Sequence, residues 1–237
     1  MLLQACLNGM RPKAEHAAIP VTVAEAVEAA VAAVRAGAGE VHVHTRSADG
    51  AESLEADDVA AWVAALRTAC PGTAIGITTN ERIIPDLARR RTVIDDWRVV
   101  PDFASVNLGE ADAPSIIGRL ADRGVLAEAG LANVDDARRY VAERARGMWV
   151  KRVLIEPDAA DSVDAVELAE AILAVLASVA RAAPILMHGF EVGAWPVLRR
   201  ARELGFSTRM GLEDTLVASD GSVAVDNAAL VRDALRL

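Results

Sequence analysis

Short runs of apolar and β-branched residues alternate along the chain with longer stretches whose apolar positions recur three and four apart. The first kind reads as buried strands, and the second as amphipathic helices lying against them. Strands are predicted over Leu2–Leu7, Glu40–Thr45, Ala74–Thr78, Phe103–Asn107, Val125–Glu128, Arg152–Glu156, Ile185–His188 and Ser207–Gly211. Helices are predicted over Val23–Ala36, Ala56–Thr68, Ile84–Asp95, Pro114–Asp122, Asp135–Arg146, Ser162–Arg181, Ala194–Leu204 and Asn227–Leu237. Parallel strands need a crossover of a dozen or more residues, so strict alternation predicts a parallel sheet. Eight such units predict a closed (β/α)8 TIM barrel rather than an open doubly wound sheet. Local signals support the boundaries. Thr22 stands three residues before Glu25, the spacing of a capping box that satisfies free N–H groups at a helix start. Pro85 suits a first helical turn, and Gly37, Gly124 and Gly205 sit where helices should stop. With no linker or low-complexity tract, residues 1–237 are expected to form one barrel domain.

Composition narrows the class. The chain of 237 residues is 53% hydrophobic, mostly Ala, Val and Leu, and only 3% aromatic, which supplies a core of small and branched side chains. A barrel typically needs about 250 residues. The net charge is −9 and no long basic block occurs, so nucleic acid is not an expected partner. The Arg89-Arg90-Arg91 run reads as a solvated helix face. No apolar run reaches the roughly 18 residues of a membrane span. Met1-Leu2-Leu3 leads almost at once to Asn8-Gly9, without the features of a signal peptide. The two cysteines, Cys6 and Cys70, lie far apart in apolar settings, which fits a reduced, cytoplasmic protein. No Gly-x-Gly-x-x-Gly follows a strand, which weakens a dinucleotide-binding reading.

In this fold, chemistry sits at the C-terminal ends of the strands. The polar residues expected there are Asn8, His42, His44, Thr78, Thr79, Ser105, Asn107, Glu128, Glu156, His188, Arg209, Glu213 and Asp214. His42 and His44 are two apart on one strand, so both imidazoles enter the barrel mouth on one face, where two lone pairs can meet one cation. A third ligand must come from another strand. The Gly211-Leu212-Glu213-Asp214 loop offers two adjacent carboxylates, which repel unless one neutralises a metal or pairs with Arg209. Two imidazoles and one carboxylate leave an open position, as a catalytic zinc site requires, although iron, cobalt or manganese accept the same donors.

The motifs go further together. Asn8-Gly9, Ile19-Pro20-Val21-Thr22, Gly37-Ala38 and His42-Val43-His44-Thr45-Arg46 resemble the opening of the β-keto acid cleavage enzymes, whose type member is the 3-keto-5-aminohexanoate cleavage protein. The likeness continues through Ser105-Val106-Asn107-Leu108-Gly109, Glu128-Ala129-Gly130-Leu131, His188-Gly189 and Arg209-Met210-Gly211-Leu212-Glu213-Asp214. It ends with Asp220-Gly221 and Asp226-Asn227. The resemblance implies a zinc-dependent exchange in which a β-keto acid and acetyl-CoA become acetoacetate and a new acyl-CoA. It implies His42, His44 and Glu213 as metal ligands, and Asp214, oriented by Arg209, as the base that removes an α-proton. It also implies substrate binding by Thr78 and Ser105, with Asn107 beside them, and assembly as a homo-oligomer, with a tetramer as the suggested form.

Two departures bear on the substrate. The family's early substrate-binding Glu has no equivalent, and Arg11 stands nearby instead, which suits an acidic tail better than an amino group. Thr78-Thr79-Asn80-Glu81 replaces a Gly-rich turn, so the distal end of the substrate is expected to differ. Glu128 reads either as a substrate ligand or as the partner of Arg46, and Glu156 similarly. His188 reads as a substrate contact, a support for the site or a structural histidine, and Trp195 as packing. Two other functions remain in competition: a metal-dependent aldolase or other C–C lyase working without CoA, and a barrel that binds a keto acid as a sensor. A base beside the metal argues against the sensor.

Overall fold

Alternate residues of each strand meet different surroundings, and this division organises the whole molecule. A computed structural model of the protein describes residues 1–178 and 183–237. Its strands are β1 Leu3–Cys6, β2 Glu40–Val43, β3 Ala74–Thr78, β4 Phe103–Asn107, β5 Leu126–Leu131, β6 Arg152–Ile155, β7 Ile185–Met187 and β8 Thr208–Met210. The helices are α1 Val23–Ala36, α2 Ala56–Ala69, α3 Leu87–Asp95, α4 Ala113–Asp122, α5 Val134–Ala145, α6 Ser162–Leu176, α7 Ala194–Glu203 and α8 Asn227–Arg236. All strand pairs are parallel, in the order β7-β6-β5-β4-β3-β2-β1-β8. A parallel bridge between Leu186 and Ser207 joins the two edges, with Met187 N–H donating to the Ser207 carbonyl at 2.9 Å. The sheet is therefore a (β/α)8 TIM barrel, as the alternation predicts.

The capping box forms as expected: Thr22 accepts from Glu25 N–H, and the Glu25 carboxylate accepts from Thr22 N–H. Most boundaries agree to within two residues, and three differ by more. Helix α3 begins at Leu87, because the Asp86 side chain caps Ala88 and Arg89; Pro85 falls before the cap rather than in the first turn. Strand β5 runs on to Leu131 instead of stopping at Glu128. Helix α6 ends at Leu176, and residues 179–181 of its predicted span lie outside the described residues.

Leu3, Ala5, Val41, Val43, Ile75, Ile77, Val153 and Ile155 are buried between the sheet and its helices. Burying each large apolar side chain contributes about 1.5–3 kcal/mol. Helix α1 packs with Ala26, Ala30 and Ala33, whose small side chains let it lie close to the sheet.

The inside of the barrel is ionic at its floor. Glu128 accepts from Gln4 at 3.3 Å and faces the Arg152 guanidinium, while Glu40 bonds both Arg152 and Lys151. The Lys151 ammonium lies 3.9 Å from the centre of the Phe103 ring. Glu128 is thus mid-strand and wholly buried, away from the barrel mouth, which corrects the expectation of a substrate ligand or a partner for Arg46. Arg46 instead donates to the carbonyls of Gly9, Arg11 and Gly50.

Candidate active site

A cavity of about 700 Å³ opens at the C-terminal ends of the strands, lined among others by His42, His44, Thr78, Ser105, Asn107, Arg209 and Glu213. Strand β2 carries His42 and leads straight to His44, and Asn8, two residues past β1, holds the second histidine in place. Its amide donates to the carbonyls of His44 and Pro20 and accepts from His44 N–H at 2.9 Å. Gly9 follows at φ +53, and a Cβ there would lie 2.6 Å from the Glu213 side chain. Only glycine satisfies both conditions at little cost, so the Asn-Gly pair makes room for the carboxylate.

Glu213 arrives from the loop after β8. Gly211 lets that loop pass β1, since a Cβ there would stand 1.9 Å from the Cys6 carbonyl oxygen. Asn227 on α8 secures the crossing by accepting from Leu212 N–H and donating to the Leu7 carbonyl. The result places Glu213 Oε2 3.9 Å from His42 Nε2, and Glu213 Oε1 3.7 Å from His44 Nε2. One donor atom from each of the three residues lies within 4.8 Å of the others. Tetrahedral zinc, with ligand bonds of about 2.0–2.2 Å, needs donors roughly 3.5 Å apart. Glu213 Oε2 is buried without a hydrogen-bond partner. Burial holds the His42 pKa down to about 3, so its imidazole is neutral and its lone pair free. Burial raises the Glu213 pKa, but Arg209 and the imidazoles outweigh it and bring the group down to about 2. This donor set, anionic and partly unpartnered, fits a divalent cation.

Arg209, on β8, sits inside a ring of polar groups. Its Nε donates to Asp214 Oδ1 at 3.1 Å and to His188 Nδ1 at 3.2 Å; its Nη2 donates to Asp214 Oδ1 at 2.8 Å and to Glu213 Oε1 at 2.9 Å. Burial opposes its charge, yet Asp214 and the other carboxylates raise its pKa beyond the ordinary arginine range. Asp214 is wholly buried behind Arg209 rather than on the cavity wall. Burial lifts its pKa to about 7 against the pull of Arg209, and its Oδ2 has no partner.

Ser105 and Asn107 line the cavity with side chains that make no hydrogen bond to a described residue, whereas Thr78 Oγ1 accepts from Asn80 N–H at 3.1 Å. Arg11 reaches the cavity rim, but Glu15, Glu191 and the Glu213 carbonyl already engage its guanidinium. Trp195 packs and donates to the Val217 carbonyl.

Two supporting groups escaped the sequence reading. Glu52, from the loop after β2, bonds His44 Nδ1. Arg90, expected on a solvated face, is fully buried and pairs with Glu110 and Asp112 while donating to the Thr79 carbonyl. Glu110 in turn accepts from Glu81 N–H, so the loops after β3 and β4 are clamped together at the cavity wall.

Fold and site together define a barrel with a His-His-Glu cluster able to hold a metal beside a buried Arg-Asp pair. All 237 residues match the family model of the β-keto acid cleavage enzymes, and the chain belongs to that family. It is therefore a β-keto acid cleavage enzyme. It is 27% identical over 262 aligned positions to the 3-keto-5-aminohexanoate cleavage enzyme of Fusobacterium nucleatum subsp. nucleatum, covering 100% of this chain and 90% of that protein. It is 33% identical over 115 positions to the 3-oxoadipate:acetyl-CoA acetyltransferase of Cupriavidus necator, covering 48% of this chain and 39% of that one. Among solved structures, apo ObcA superposes with a TM-score of 0.72 at 17% identity, covering 90% of this chain and 60% of ObcA. The 3-dehydroquinate dehydratase of Aquifex aeolicus superposes with a TM-score of 0.60 at 12% identity, covering 100% and 96%. These structural likenesses concern the fold. No described helix is long and apolar enough to cross a membrane.

Proposed function

We propose that the protein uses zinc to exchange acyl groups between a β-keto acid and acetyl-CoA, yielding acetoacetate and a new acyl-CoA. The observation that carries this reading is the meeting of His42, His44 and Glu213 with Arg209 at one cavity, with Asp214 paired to Arg209 behind it. The acetyl-CoA in the name of the C. necator relative supports the co-substrate.

His42, His44 and Glu213 would hold the metal, and two nitrogens, one oxygen and an open position favour zinc. When bound, the ion acts as a Lewis acid that polarises the keto oxygen and makes the neighbouring α-carbon more acidic. Asp214 is the base that takes the α-proton. Its Oδ1 is tied to Arg209, while Oδ2 has no partner and lies buried behind Arg209. A carboxylate whose pKa is lifted to about 7 suits that task near neutral pH. Arg209 fixes the base's rotamer and balances its charge. Ser105, Asn107 and Thr78 hold the polar end of the substrate, with two free side-chain groups among them. The protein works as a homo-oligomer in the cytoplasm, where its two unpaired, buried cysteines stay reduced.

The test is turnover of a panel of β-keto acids by protein whose zinc has been counted by elemental analysis. About one zinc per chain and equal amounts of acetoacetate and acyl-CoA are expected, with no reaction unless acetyl-CoA is present. Cleavage that proceeds equally well without acetyl-CoA would replace this reading with a lyase.

A further inference from the structure

Glu156 follows β6 directly and turns its carboxyl into the cavity. It occupies space that residue 130 leaves open: a Cβ on Gly130 would stand 2.1 Å from Glu156 Oε1 and 3.1 Å from Asn107 Oδ1. The carboxyl therefore lies in a slot beside Asn107. Its other oxygen, Oε2, is 3.4 Å from His188 Nε2. Because Arg209 donates to His188 Nδ1, the neutral imidazole carries its hydrogen on Nε2, which lies near Glu156 but makes no hydrogen bond to it. The side chain is only 13% exposed, and no lysine or arginine among the described residues forms an ion pair with it. Oε1 is left facing the cavity without a donor among the described residues. Burial is expensive for a carboxylate, and it lifts the Glu156 pKa to about 7 against the more distant pull of Arg209.

The neighbouring wall carries the same chemistry. Asn133, Asp136 and Asp158 extend it, while the cations on the cavity wall, Arg11, Arg82 and Arg209, come from β8 and from the loops after β1 and β3. Arg11, the residue expected to greet an acidic tail, is already engaged by two glutamates. A second carboxylate on the substrate would meet like charge along β5 and β6, whereas a donor would complete the hydrogen bonding of Oε1.

We infer that Glu156 reads the tail of the β-keto acid and selects one bearing a hydrogen-bond donor, a hydroxyl or an ammonium group, over an apolar or carboxylate-bearing tail of equal length. This rests on the reading of the substrate as a β-keto acid, but not on the reaction with acetyl-CoA. The acidic tail expected from Arg11 gives way to a donor.

Calorimetry on the zinc-loaded protein without acetyl-CoA separates the two questions. The probes are length-matched β-keto acids ending in hydroxyl, ammonium, methyl or carboxylate. Donor tails should bind about tenfold or more tighter than the methyl tail, as a hydrogen bond to a charged group implies, and the carboxylate tail should be weakest. The tighter of the two donors identifies the tail. Glu156→Leu should reverse the ranking in favour of methyl. Glu156→Gln should keep a preference for hydroxyl while losing that for ammonium. Gly130→Ala, which drives the carboxyl from its slot, should weaken donor tails with Glu156 still present. Zinc content and melting temperature establish that each variant is folded; should Glu156→Leu not fold, Glu156→Gln and Gly130→Ala carry the test. An unchanged ranking in the folded variants, a methyl or carboxylate tail binding tightest to the wild type, or no binding by any probe would overturn the inference. Normal ranking without turnover would instead count against the proposed reaction.

Discussion

His44 presents Nε2 to Glu213 because its other ring nitrogen, Nδ1, is bonded to the carboxylate of Glu52. The contact sets the tautomer and the ring angle, and a carboxylate behind an imidazole also raises its strength as a ligand. Glu52→Gln should therefore lower zinc affinity by about 10–100-fold without abolishing binding. Chelator competition reads this directly. His44→Ala should lose the stoichiometric metal altogether, and equal affinity in Glu52→Gln and wild type would deny Glu52 the role.

The proposed base is separable from the metal ligand next to it. Asp214→Asn should keep zinc and much of the substrate affinity, yet lose about 10²–10⁴-fold in kcat. Glu213→Gln should impair zinc binding as well as rate. Arg209→Ala should fall between them, since Asp214 remains but loses its orienting partner. Exchange of the substrate's α-hydrogen with deuterated water, followed without acetyl-CoA and corrected for the spontaneous rate, should be accelerated by wild type and not by Asp214→Asn. Equal acceleration by both would move the role to another carboxyl.

Arg90 offers a test of stability rather than chemistry. Removing one member of a buried ionic cluster leaves charges without partners, at a cost of about 3–5 kcal/mol. Arg90→Met should show a loss of this size in urea unfolding, because Glu110 and Asp112 stay buried. The loops after β3 and β4 should also become more sensitive to protease than in wild type. A loss below 1 kcal/mol would show that the clamp contributes little.

Acid sensitivity has a clear sign at the first helix. The Lys13 ammonium and the N–H groups of Val21 and Thr22 hold the Glu25 pKa down to about 2, below its ordinary value of 4.5. The folded chain thus releases this proton more readily than the unfolded one. The stabilisation is complete above about pH 4.5 and is lost as the pH falls towards 2. Glu25→Gln keeps an acceptor in the capping box but not the charge. Its deficit should stay below about 1 kcal/mol at pH 7, since the pair is solvent-exposed, and should vanish near pH 2. A deficit that grew on acidification would contradict this assignment.

The alternation of elements made the barrel legible, since each helix start and strand face is a local matter of spacing and capping. Local spacing also showed that His42 and His44 share a face. It did not show depth along the barrel axis. Glu128 and Glu156 both point inwards, yet one lies in the ionic floor with Arg152 and the other at the mouth. That difference arises from the register of β5 on β6, which pairs Glu128 with Arg152 and Leu131 with Ile155, the residue before Glu156. Glu52 and Arg90 left no trace for a related reason. Their partners lie eight or more positions away, beyond the reach of local spacing, and nothing in the Arg89-Arg90-Arg91 run distinguishes its buried middle member from its neighbours.

The barrel closes between β7 and β8 through one bridge, while neighbouring strands elsewhere share ladders of three or more residue pairs. Polar side chains cross this seam as well: Thr208 Oγ1 donates to the Met187 carbonyl at 2.8 Å, and Arg209 to His188. Arg209 is thus a latch as well as a partner of the base. Whatever loosens its grip on His188 also slackens the sparsest joint in the cylinder, so the site's charge balance and the barrel's mechanical closure rise and fall together.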